Sequence, residues 1–174
     1  MNIVLIGYRG TGKSEVGAML SQRLSMPCIG MDAEIVRRAG CSIPEIVEKQ
    51  GWPGFRDAES ALVLELAGRD NLIIDTGGGV IERPGNMAAL QKNGEVFWLT
   101  ASVDTIVSRI HTDTQRPSLT GGKSFTDEVA EVLARRIPLY RASAHHEIVT
   151  DGLSPARVAD TIVSLLQKRS GRPA

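Results

Sequence analysis

The sequence predicts an α/β fold in which a central parallel sheet of about five strands carries helices on both faces. Three observations predict it. Short apolar runs alternate with stretches of helical spacing along the whole chain, the order produced by parallel strands joined through helical crossovers. The first run, 2–6, is β-rich throughout and passes directly into Gly7, as a strand buried on both faces does. The composition, 42% hydrophobic and 23% charged over 174 residues, suits one domain with a sizeable core, so 1–174 reads as a single unit.

The elements follow in order. After the strand at 2–6, Val16, Met19, Leu20 and Leu24 recur at helical spacing within 13–24. A weak second strand is expected at 27–31. Short helices are expected at 33–39 and 43–49, with Gly40 and Pro44 as punctuation. A stronger helix covers 55–66 and stops at Gly68. Leu72-Ile73-Ile74-Asp75 forms a third strand ended by Gly77-Gly78-Gly79. Helix 84–92, strand 96–99 and helix 103–110 come next. The polar segment 111–124 has no periodicity, and irregular segments of that length are lids or disordered. Helix 128–140, strand 146–149 and helix 155–167 complete the pattern, and the tail 168–174 is expected to fray.

Charge and cysteine usage exclude several classes. Lys plus Arg is 20 and Asp plus Glu is 20, which leaves no electrostatic footprint for nucleic acid or an anionic membrane. The N-terminus has no basic n-region, and its apolar run is too short for a signal peptide. No stretch approaches the roughly 20 apolar residues of a membrane-spanning helix. Cys28 and Cys41 form neither a metal spacing nor a disulfide framework, and His111, His145 and His146 lack metal-spaced companions. A cytoplasmic monomer is expected, acting on small molecules.

Gly7-Tyr8-Arg9-Gly10-Thr11-Gly12-Lys13-Ser14 matches the P-loop pattern G-x-x-x-x-G-K-[ST] and lies between the first strand and the first helix, the context that gives the pattern its meaning. The glycines let backbone N–H groups turn inward around phosphates, and the helix N-terminus adds its positive dipole. Lys13 reaches β- and γ-phosphates, and Ser14 ligates Mg²⁺. ATP with Mg²⁺ is therefore the expected nucleotide. The chain is too short for a separate partner-binding domain, which favours a small-metabolite kinase. Arg116-Pro117 in the irregular segment offers an arginine to close over the transferring phosphoryl group.

Further motifs follow the P-loop: Asp32-Ala33-Glu34-Ile35, Gly54-Phe55-Arg56 with Glu59, Gly77-Gly78-Gly79, Arg116-Pro117 and Arg136-Ile137-Pro138-Leu139-Tyr140. In this order, and over nearly the whole chain, they resemble shikimate kinase. The resemblance implies a P-loop three-layer α/β/α sandwich like that of nucleoside monophosphate kinases, with a substrate-binding segment at about 32–60 and a lid at about 111–124. It implies phosphorylation of the shikimate 3-hydroxyl by ATP, a step toward chorismate and the aromatic amino acids. Arg56 and Arg136 are implied to clamp the substrate carboxylate, a task suited to paired guanidinium groups. Glu59, one helical turn beyond Arg56, is implied to hold that arginine. Gly77, Gly78 and Gly79 are implied to let the substrate ring approach, and Asp32 to orient its hydroxyls or accept a proton. On the nucleotide side the implied contacts are Gly10, Thr11, Gly12, Lys13, Ser14, Glu15 and Arg116, with Arg109 packing on adenine beside the loop 150–155.

The pattern breaks at three places. The family's Asp-x-Asp after the second strand has Gly30 at its first acid and Asp32 at its second. The third strand instead ends in Asp75, where the family has a small or hydroxylated residue, and an acid there is the Mg²⁺-side aspartate of P-loop enzymes in general. Asp75 is thus expected to replace the missing carboxylate, with a cap on the Gly-rich turn as the lesser alternative. Trp52 before Phe55 and Ser118 after Arg-Pro are the other departures. Two alternatives stay open. One is a different small-metabolite kinase on the same scaffold, such as a gluconate kinase or a nucleotide kinase. The other, prompted by Gly30, is a nucleotide-binding regulatory module that has lost catalysis.

Overall fold

β1 (Asn2–Ile6) is buried at every residue and can only lie inside a sheet covered on both faces. The computed structural model describes residues 1–110 and 124–171 and places β1 there. Among the described residues, β2 (Cys28–Gly30), β3 (Ile73–Asp75), β4 (Gly94–Thr100) and β5 (His146–Val149) join it in one parallel sheet of order β2-β3-β1-β4-β5. The helices are α1 (Lys13–Leu24), α2 (Met31–Ala39), α3 (Ile43–Ala67), α4 (Pro84–Lys92), α5 (Val103–Ile110), α6 (Phe125–Ser143) and α7 (Pro155–Ser170), with a 3-10 turn at Val80–Glu82.

Alternation along β1 produces the layers. Ile3 and Leu5 face Val16 and Leu20 of α1 and Val158 and Ile162 of α7. Val4 and Ile6 point the other way, toward Met31 and Ile35 of α2, Phe55 and Leu62 of α3 and Tyr140 of α6. The result is an α/β/α sandwich, as expected. A smaller cluster of Tyr8, Ile106, Ile110, Val129 and Val132 ties α5 and α6 to the loop after β1. The chain leaves β1 toward β2 and leaves β4 toward β5, in opposite directions, which opens a crevice at the carboxyl ends of the strands.

Several boundaries differ from the sequence reading for local reasons. The helices predicted at 33–39 and 128–140 begin earlier, at Met31 and Phe125. Asp32 and Glu34 suit the positive end of α2, and Ser124 caps α6 by accepting from the Asp127 N–H at 3.2 Å. The helices predicted at 43–49 and 55–66 meet in one run, α3, bent at Gly51, whose φ of 69° and ψ of 175° are not helical. Pro53 falls in the first turn after that bend, where its missing N–H costs nothing. The 3-10 turn after the three glycines was not anticipated. The expected lid, 111–124, lies outside the described residues except for Ser124, and Arg116 and Ser118 lie outside them with it. Among the described residues no helix is long and apolar enough to cross a membrane.

Candidate active site

The loop 7–14 joins β1 to α1 at the carboxyl edge of the sheet. Gly12 caps α1 in the left-handed region, at φ 89°, and gives it no side-chain cap. The first-turn N–H groups of α1 are thus left to an anion, the arrangement that a phosphate requires. Lys13 is buried, and its Nζ donates to the carbonyls of Gly7 (2.9 Å) and Tyr8 (3.0 Å). Thr11 Oγ1 donates to the Tyr8 carbonyl at 2.8 Å, which braces the loop.

Ser14 and Asp75 meet beside this loop. Ser14 Oγ donates to Asp75 Oδ2 at 2.6 Å. Asp75 pairs in register with Leu5 of β1 and with Gly30 of β2, so the three occupy one row across the sheet. A Cβ at Gly30 would stand 4.0 Å from Asp75 Oδ2 with nothing closer than Ala33 Cβ at 3.9 Å. Position 30 thus has room for a side chain, while Asp75 provides the carboxylate at this level. Burial, with Asp75 adding to it, pushes the neighbouring Cys28 thiol up to about 11 and keeps it protonated.

A cavity of about 1070 Å³ follows the loop. Toward α5 and α7 it is lined by Arg109, Thr150, Leu153 and Pro155; in the middle it passes Lys13, Ser14, Glu15 and Asp75. Its other end reaches Arg9, Asp32, Thr76 and Gly78. Arg109 donates from Nη1 to the Gly10 carbonyl at 3.0 Å, which draws its guanidinium over the phosphate loop.

Arg56 and Arg136 do not line this cavity. They stand behind the glycine turn, on α3 and α6, with only 7% and 3% of their surface exposed. The turn is shaped around them. A Cβ at Gly79 would lie 2.0 Å from Arg56 Nη2, so the space that a side chain would take is filled by the guanidinium. At Gly77 the same position would meet Asp32 Oδ1 at 2.7 Å and Glu59 Oε1 at 2.9 Å, and at Gly78 it would meet Arg136 Nη1 at 3.6 Å. The three glycines therefore gather Asp32, Glu59, Arg56 and Arg136, and the middle one also faces the cavity. Tyr140 locks the turn by donating its hydroxyl to the Gly78 carbonyl.

Glu59 is fully buried and accepts from Arg56 Nη1 at 2.7 Å, the pairing that the one-turn spacing predicts. Burial raises its carboxyl above the usual range against the pull of Arg56. Trp52 and Phe55 face the Arg56 guanidinium at 5.6 and 5.3 Å from their ring centroids, which gives the unusual Trp52 a place beside the buried arginine pair. Sequence reasoning missed Glu82. On the 3-10 turn, its Oε1 accepts from Arg136 Nε at 2.8 Å and contacts Arg135 Nη2 at 3.1 Å, while Oε2 lies 3.8 Å from Arg56 Nε. Burial alone would raise its carboxyl, but Arg136, Arg56 and Arg135 together hold it below the usual carboxylate range. The available signal was an acid three residues past the triple glycine, with no motif to mark it. Arg9 was also passed over; its guanidinium lies 5.7 Å from the Phe125 ring centroid.

Comparison with known proteins gives the family. A family model described as shikimate kinase matches residues 9–167. A shikimate kinase of Oleidesulfovibrio alaskensis is 43% identical over 94% of this chain and 96% of its own length. One from Syntrophus aciditrophicus is 40% identical over 97% of this chain and 92% of its own. Among solved structures, shikimate kinase from Acinetobacter baumannii in complex with shikimate superposes with a TM-score of 0.93 at 34% identity, covering 98% of this chain and 95% of that one. A gluconokinase from Sinorhizobium meliloti, at 16% identity and a TM-score of 0.55, shares the fold alone. With a P-loop, a buried arginine pair and relatives alike from end to end, the chain belongs to the shikimate kinase family, whose members are ATP-dependent phosphotransferases.

Proposed function

We propose that this chain transfers the γ-phosphoryl group of ATP to the 3-hydroxyl of shikimate, giving shikimate 3-phosphate and ADP. The observation that carries this reading is the glycine turn 77–79. It draws two buried guanidinium groups and Asp32 to one place, and Gly78 also faces the phosphate-loop cavity. A nucleotide acceptor would need a base pocket at that end, whereas the groups gathered there are guanidinium groups and carboxylates.

The roles follow from position. The N–H groups of Gly10, Thr11, Gly12, Lys13 and Ser14 hold the β-phosphate, and Glu15 lies at the edge of the same cavity. Lys13 exchanges its loop carbonyls for phosphate oxygens. Arg109 and the loop 150–155 hold the adenosine end. Arg56 and Arg136 bind the acceptor carboxylate, and Asp32 orients the attacking hydroxyl and receives its proton. As the new P–O bond forms, the bond from the γ-phosphorus to the β–γ bridging oxygen breaks and ADP leaves. Arg116, which lies outside the described residues, is assigned to the transferring group by the motif it forms with Pro117.

Ser14 and Asp75 fit Mg²⁺. They are hard oxygen donors beside the phosphate loop, and this ion takes one or two protein ligands with phosphate oxygens and water completing its shell. The ion neutralises charge on the β- and γ-phosphates when bound. The test is ADP release with shikimate, gluconate or a nucleoside monophosphate as acceptor. Shikimate alone is expected to drive turnover. Turnover with either of the others, or ATP binding without shikimate-dependent ADP release, would sink the assignment.

A further inference from the structure

Resting on the acceptor reading above, we propose that Glu82 is an internal carboxylate that occupies the arginine clamp and sets how tightly an acceptor carboxylate binds. Glu82 touches both arms of the clamp, Arg136 through Nε at 2.8 Å and Nη2 at 2.7 Å, and Arg56 through Nε at 3.8 Å. A carboxylate spanning two guanidinium groups is what the clamp is assigned to bind from outside. Both arginines are nearly fully buried and neither lines the cavity, whereas Glu82 keeps 29% of its side chain exposed. Of these three groups, Glu82 is the one with an open path to leave.

Arg136 Nη2 lies within ion-pair distance of Glu82 yet makes no geometrically sound hydrogen bond, and the contact to Arg56 is too long for one. Glu82 thus balances the charge of both arginines while satisfying only the Nε donor of Arg136 between them. An acceptor carboxylate that forks onto both guanidinium groups satisfies more of them, and it wins the exchange on hydrogen bonding. Glu59 is different in kind. It is wholly buried, pairs with Arg56 Nη1 at 2.7 Å and holds that side chain in place without blocking it.

An internal occupant lowers apparent affinity by the fraction of molecules whose clamp is open. It also keeps buried cations from standing uncompensated before the acceptor arrives, which would be costly. Glu82 therefore acts on acceptor binding and leaves the nucleotide side alone.

Calorimetric titration of shikimate, and of cyclohex-1-ene carboxylate as a probe that keeps the carboxylate and loses the hydroxyls, tests this on the full chain. Glu82→Gln is expected to tighten both ligands by about three- to tenfold, with ATP affinity unchanged. Glu82→Asp keeps the charge on a shorter arm that cannot span both arginines, and it is expected to tighten them by about twofold and to fold normally. In turnover assays the gain appears as a lower KM for shikimate with no change in KM for ATP. If Glu82 only props Arg136 in place, both variants bind the probe more weakly, and that result or an unchanged Kd overturns the proposal. A native chain that binds neither ligand removes the acceptor reading and this inference together. One that binds both while Glu82→Gln gains nothing removes the inference alone.

Discussion

The two ends of the cavity are built by opposite means. The phosphate site at the nucleotide end is one contiguous loop, 7–14, in which backbone N–H groups, left-handed glycines and a helix terminus are joined by the side chains of Lys13 and Ser14 from the same loop. The acceptor end is assembled from α2, α3, the glycine turn, the 3-10 turn and α6, and nearly every group that matters is a charged side chain buried against another. A site of the first kind depends on local backbone geometry. A site of the second kind depends on the whole fold, because each charge is tolerable only while its neighbours stay where they are. Damage at the first end should therefore cost turnover and spare stability, and damage at the second should cost both.

The largest expected effect is at Lys13. Lys13→Ala removes a cation placed where charge develops on the transferring phosphoryl group, and kcat should fall by about 10²–10³, the range for deleting one such preorganised group. Unfolding in urea should move by about 1 kcal/mol, the usual net worth of hydrogen bonds such as those its ammonium donates to the Gly7 and Tyr8 carbonyls. Rapid-quench rates and urea melts on the same samples decide the matter. A loss below tenfold, or a large loss of stability, would erase the distinction between the ends.

Next in size is Asp75. Asp75→Asn should weaken Mg²⁺ support of ATP binding by about 10- to 100-fold, the usual cost of disturbing a metal-holding carboxylate. Adding Gly30→Asp to that variant should restore part of it. The two residues are register partners, and a Cβ at position 30 meets nothing closer than 3.9 Å. Nucleotide affinity titrated against Mg²⁺ reads both effects without turnover. Indifference of Asp75→Asn to Mg²⁺ would reduce Asp75 to a cap on the turn.

The same contrast governs what the sequence discloses. The P-loop is legible because its chemistry is local: spacing, glycines and the flanking strand and helix are consecutive in the chain. The layered fold is legible because β1 and β3, buried at every residue, are apolar but for Asn2 and Asp75, and the helices keep their period. Arg56 and Glu59 are legible as a pair because one helical turn separates them. Arg136 is not legible without family resemblance, since beside Arg135 it reads as half of a surface pair; only the fold buries one and exposes the other. Glu82 is invisible for a further reason. Its meaning lies in three arginines that reach it from distant parts of the chain, and no periodicity marks a single acid on a 3-10 turn. The glycine turn was read as bare floor for a ring, whereas its open faces at 77 and 79 are already taken by Asp32, Glu59 and Arg56.

That last point yields the smallest effect and the sharpest comparison. In Gly79→Ala the new methyl carbon would fall 2.0 Å from Arg56 Nη2 and 2.3 Å from its Cζ, so the guanidinium must move. Arg56 cannot yield as a free side chain would, because Glu59 holds Nη1 and the aromatic rings of Trp52 and Phe55 flank it. The cost should be about 1–3 kcal/mol of stability, the usual range for overpacking a filled core. It should come with a raised KM for shikimate and an ATP affinity left as it was. Gly85→Ala supplies the control: a Cβ there meets nothing within 4 Å, and a helical alanine should be neutral or slightly stabilising. Were Gly79→Ala to behave like Gly85→Ala in both urea melts and acceptor KM, the clamp would not be packed against the turn, and the acceptor end would be as loosely tied to the fold as the phosphate loop.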